Sequence, residues 1–119
     1  MGRLTTHVLD TALGQPASGL RLTVWAVNDA ADIKTALKTV ETTLEGRTQE
    51  PLLEGREFKK GTYEITFDVA AYFAQTGAAL SSPPFLDQIP IRFTVADPAS
   101  NYHVPLLVSP WSYTIYRGS

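Results

Sequence analysis

The chain has 119 residues, 44% of them hydrophobic and 18% charged, with a formal net charge of -2. That length and balance suit one globular domain over 1–119 and argue against disorder. The near-neutral charge excludes a broad nucleic-acid-binding face, and the absence of cysteine excludes disulfides, thiolate catalysis and cysteine-ligated zinc.

The opening Met1-Gly2-Arg3-Leu4-Thr5-Thr6-His7 carries no long apolar run, and no later segment approaches the roughly 20 apolar residues of a membrane span. The expectation is a soluble, cytoplasmic protein without a secretory leader. Leu4, Thr6 and Val8 set an alternation that turns His7 away from its apolar neighbours. Over 20–27, Leu20, Leu22, Val24 and Ala26 share one face and Arg21, Thr23, Trp25 and Val27 the other. This is the period of a strand with one side in a core. Asn28-Asp29 breaks the run. Residues 35–43, rich in β-branched side chains, read as another strand, followed by the Glu45-Gly46 turn and Arg47. A short strand is expected over 51–54.

Past the Gly55 and Lys60-Gly61 turns, Tyr63, Ile65, Phe67 and Val69 alternate with Glu64, Thr66 and Asp68. The period then changes. Residues 68–77 read as a short helix, with Asp68 placed to cap the first turn and Gly77 to end the last; Val69, Tyr72 and Phe73 share its apolar face. A helix this short must rest on a sheet. After Ser82-Pro83-Pro84 comes a strand with Ile89, Ile91, Phe93 and Val95 on one face. After Asp97-Pro98 another has Tyr102, Val104, Leu106 and Val108. Pro105 removes a ladder donor, so this strand is expected to bulge there or to turn that position away from its neighbour. Residues 112–116 complete the series. Short strands with regular breaks predict an all-β sandwich or barrel.

His7 and His103 are the only histidines. Alternation points His103, like His7, away from the core. On the residues alone, two such histidines are more often unrelated surface or interface groups than a site. Arg47 offers a planar fork of donors suited to a carboxylate, a carbonyl or an enolate-like oxygen, though a turn arginine is commonly just solvated. Two histidines and a carboxylate could hold zinc, but the short histidine spacing of helical zinc sites is missing. There is no nucleophile elbow and no glycine-rich phosphate loop. Neither metal nor organic cofactor is expected. Trp111, Tyr113 and Tyr116 crowd a segment that runs almost to Arg117-Gly118-Ser119, which suggests an end held by packing, in a subunit interface, rather than a frayed tail.

The opening Leu4-Thr5-Thr6-His7-Val8-Leu9-Asp10-Thr11-Ala12-Leu13-Gly14-Gln15-Pro16-Ala17 resembles the first signature of the 5-hydroxyisourate hydrolases of the transthyretin-like family. The closing Tyr102-His103-Val104-Pro105-Leu106-Leu107-Val108-Ser109-Pro110, with the terminal Tyr116-Arg117-Gly118-Ser119, resembles the second. Gly46-Arg47-Thr48 resembles the family's central arginine turn. The resemblance implies a sandwich of two four-stranded antiparallel sheets with one short helix. It also implies a homotetramer, a dimer of dimers with sites in the channel between dimers. The implied activity is hydrolysis of 5-hydroxyisourate to 2-oxo-4-hydroxy-4-carboxy-5-ureidoimidazoline in urate degradation. Its implied catalytic set is His7, Arg47, His103 and Ser119. Tyr116, Arg117 and Gly118 are implied to shape the substrate pocket with His7 and Arg47. The competing expectation is a non-catalytic small-molecule carrier like transthyretin, which lacks the terminal tetrapeptide and the paired histidines.

Overall fold

The two-residue alternation of the sequence builds two facing sheets. The structure, a computed structural model, describes residues 2–119. The strands are β1 (Arg3–Asp10), β2 (Gln15–Pro16), β3 (Arg21–Asn28), β4 (Ile33–Glu41), β5 (Leu53–Glu54), β6 (Gly61–Asp68), β7 (Gln88–Val95), β8 (Tyr102–Val108) and β9 (Tyr113–Ile115), with one helix, α1 (Val69–Thr76), between β6 and β7. One sheet runs β4-β3-β6-β7, all antiparallel. The other runs β2-β1-β8-β9, with β5 paired to β1.

The all-β sandwich with one short helix is as the sequence predicts. Its second sheet departs in two details from two four-stranded antiparallel sheets: it holds five strands, and its central pair, β1 and β8, is parallel. The core lies between the sheets, where Leu4, Val8, Leu20, Val24, Ile65 and Leu106 are wholly buried. Thus the alternating faces read from sequence are the buried faces.

Helix α1 seats Val69, Tyr72 and Phe73 on the core, and Gly77 ends it at φ 80°. Asp68 does not cap with its side chain. It is still paired to Gln88 as the last residue of β6, and the amide of Ala70 is instead taken up by the Asp87 carbonyl. The Tyr72 hydroxyl donates to buried Asp10 at 2.8 Å, tying the helix to β1.

Pro105 causes no bulge. The β1–β8 register runs unbroken through His7 opposite Pro105. His103 exchanges both of its backbone bonds with Gly118, so the backbone groups of His103, Pro105 and Leu107 face the β9 side. The missing Pro105 donor therefore points at Tyr116, where the ladder lapses between Ile115 and Gly118. The position is turned away from β1, not extruded.

Candidate active site

Parallel pairing brings the two histidines together. Thr5 lies opposite His103, and His7 opposite Pro105, so all four stand on the outer face of the same sheet. Both rings are half-buried. The His103 Nδ1 is 2.8 Å from the Thr5 hydroxyl. On the other flank of the ring is Gly118, where an added Cβ would lie 3.2 Å from the His103 Cδ2. Nδ1 and Cδ2 are the two atoms next to the ring's attachment point. With one against β1 and the other against the tail, Nε2 and Cε1 point outward.

The turn after β4 docks on this face. The Val8 amide donates to the Gly46 carbonyl at 2.8 Å, and the His7 Nε2 lies 2.8 Å from the Glu45 carbonyl. A carbonyl only accepts, so Nε2 of His7 carries the hydrogen. Gly46 has φ 77°, and a Cβ there would come within 2.4 Å of the Val8 carbonyl oxygen. Only glycine permits that approach. Gly46 and Arg47 each bond back to Thr43, so the turn is closed on itself beside β1. Arg47 then extends, exposed, along a hollow of about 230 Å³ that it shares with Arg3, Thr5 and Thr6.

Electrostatics follow from this placement. The His103 imidazole is held below its ordinary value, first by burial and then by the charges of Arg47 and His7; a backbone hydrogen bond at Thr5 works the other way. A neutral, proton-accepting His103 is thereby favoured near neutral pH.

The C-terminal segment divides between the two faces. Gly118 packs on the His103 ring, and exposed Ser119 follows it. Arg117 turns the opposite way: its guanidinium stacks 4.3 Å over the Tyr102 ring and donates to the Asn101 carbonyl at 3.3 Å. Tyr116 is exposed and, with Arg117, borders a separate hollow of about 280 Å³ against Phe93 and Val104.

Comparison with known proteins shows the family of the chain. The profile of the HIUase/Transthyretin family matches residues 4–118. The chain belongs to that family. It is 50% identical over 119 residues to a 5-hydroxyisourate hydrolase of Ralstonia nicotianae, covering 100% of both chains. It is 52% identical over 116 residues to one of Deinococcus radiodurans, covering 98% of this chain and 95% of that one. Among solved structures, (S)-allantoin synthase superposes with a TM-score of 0.93 at 45% identity, over 99% of this chain and 44% of that one. Sea bream transthyretin in complex with thyroxine superposes with a TM-score of 0.85 at 30% identity, over 98% and 94% of the two chains.

Of the residues that the family resemblance singles out, the structure gathers His7, His103, Arg47 and Gly118 on one face of the sandwich. Tyr116 and Arg117 border another hollow, and Ser119 sits at the chain end beside Gly118. Sequence reading missed three participants: the Thr5 hydroxyl, the Glu45 carbonyl and the close approach of Gly46. Shared parity with His7 marks Thr5 as outward-facing, but its partner depends on a parallel register that alternation does not encode. Among the described residues no group of three His, Cys, Asp or Glu side chains is placed to hold a metal ion, and no helix is long and apolar enough to cross a membrane.

Proposed function

We propose that this chain hydrolyses 5-hydroxyisourate, opening its ring with a water activated by histidine. The observation that carries the reading is the convergence of His7, His103 and the Arg47 turn on one sheet face, in a chain half identical to proteins named for that activity. Hydrolysis of such a flat, carbonyl-rich bicycle needs a base near neutral pH and charge stabilisation on the attacked oxygen.

His103 suits the base. Its Nε2 points outward, and burial with nearby positive charge keeps it unprotonated. His7 suits the donor. Its Nε2–H is committed to the Glu45 carbonyl in the free protein, so it orients water or returns a proton to the leaving nitrogen once substrate displaces that contact. Arg47 reaches substrate oxygens and stabilises the developing negative charge. Ser119 adds a hydrogen bond to substrate or water rather than acting as a nucleophile, since no sequence feature supplies it with a dedicated activating base. Gly118 leaves room for the His103 ring, Arg117 anchors the tail through Tyr102, and Tyr116 completes the tetrapeptide that shapes the pocket.

The assembly is a homotetramer with its sites between dimers. Supporting this, Tyr113 and Ile115 on the edge strand β9, and Trp111 and Tyr116 beside it, are 43%, 37%, 61% and 55% exposed, an edge that soluble proteins cover.

Stopped-flow absorbance on freshly generated 5-hydroxyisourate tests the reading. Decay well above the spontaneous rate is expected, and its absence would sink the hydrolase. The carrier reading, favoured only by the thyroxine-bound relative, predicts iodothyronine binding without turnover.

A further inference from the structure

The His103 ring is held on both flanks. Its neighbour Thr5 comes from the adjacent strand, directly opposite in register, and is itself half-buried. The 2.8 Å contact from Thr5 Oγ1 to Nδ1 is the sole side-chain hydrogen bond recorded for either group among the described residues. Threonine is β-branched and restricted about χ1, which limits where its hydroxyl can stand. The opposing flank is the Gly118 backbone, held by two backbone hydrogen bonds to His103.

We infer that Thr5 is a positioning residue: its hydroxyl accepts the Nδ1–H of His103, fixing the tautomer and leaving the outward Nε2 as the bare, basic nitrogen. The reverse polarity, hydroxyl donating to Nδ1, would put a hydrogen on Nε2. That would leave the outward nitrogen without the lone pair that a base needs.

The kinetic half of this inference rests on the hydrolase reading; the tautomer half does not. The test joins two measurements on the full-length protein. With only two histidines, two-bond ¹H–¹⁵N spectra above the histidine titration resolve each ring, and His7→Asn assigns them. Wild type is expected to show a protonated Nδ1 and a bare Nε2 at His103. Thr5→Val is expected to mix the tautomers and to lower kcat roughly 10- to 100-fold with KM little changed, the size of a disoriented general base. Thr5→Ser, which keeps the hydroxyl, is expected to restore the tautomer and most of kcat. A wild-type His103 protonated at Nε2 overturns the inference. So does a Thr5→Val protein that keeps either its tautomer or its kcat. If the wild type fails to turn over substrate, the hydrolase reading falls while the spectra still decide the role of Thr5.

Discussion

Gly118 is not required by backbone conformation, since its φ is not among the positive values of the chain's glycines. It is favoured by space, because a methyl group there would meet the His103 ring at 3.2–3.6 Å and push it by a few tenths of an ångström. Gly118→Ala is therefore expected to tilt the ring and cut kcat about 10-fold, while an exposed chain end leaves stability within about 0.5 kcal/mol. Paired kcat and Tm measurements check both halves. His103 also sets a pH signature. The base proposed here works when neutral, and its affinity for a proton is lowered, so the acid limb of kcat/KM should lie below the ordinary histidine value of 6.5. Arg47→Gln removes one of the causes. The limb of its residual activity should move up toward 6.5 without reaching it, because burial, the larger cause, remains. A limb that stays put, or moves down, contradicts the arrangement.

At the scale of elements, the Thr43–Arg47 turn does more than connect strands. It holds β1 through the Gly46 carbonyl, holds His7 through the Glu45 carbonyl and projects Arg47. Gly46→Ala would combine a left-handed φ with a 2.4 Å clash against Val8. The expected cost is roughly 2 to 3 kcal/mol, with loss of turnover larger than that of the Gly118 variant; urea unfolding and steady-state rates measure both. Alternation made the strands and their inward faces legible: Leu20, Leu22 and Val24 are buried as their period demands. It also placed His7 and His103 outside the core. It could not show that the two share a sheet, because the β1–β8 register joins positions nearly the whole chain apart. The helix face was legible but its cap was not, since the Ala70 amide is satisfied by Asp87, a partner remote in sequence. Pro105 was legible as a conflict; which side its missing donor faced became visible only with the β9 pairing.

At the scale of the molecule, the two outer faces divide the work. The face of β1 and β8 carries the histidines. The outer face of the other sheet carries Glu64, only 4% exposed, bonded to Lys34 at 2.8 Å and to Arg92 at 3.3 Å, with Lys34 also stacked over Trp25. These ties join β4, β6 and β7 far from any proposed chemistry. The Glu64 carboxyl is held below its usual range, chiefly by the Lys34 bond and against the cost of burial. A lowered folded-state value means stability that is present above the unfolded value of 4.5 and is lost as pH falls through the folded one. Glu64→Gln should therefore cost about 2 kcal/mol near neutral pH, less on acidification as the wild type loses the same contribution, with kcat unchanged throughout. The third surface is the β9 edge. Ile115→Lys places a charge on an edge strand whose apolar side chains are proposed to be covered by another copy. It should yield smaller species in sedimentation and lose turnover together, because the sites proposed to lie between dimers would disappear with the dimers. Glu64→Gln should remain assembled and active while less stable, and Gly118→Ala assembled and stable while less active. If Ile115→Lys dissociates yet keeps full kcat, each protomer carries a complete site and the interface is structural only.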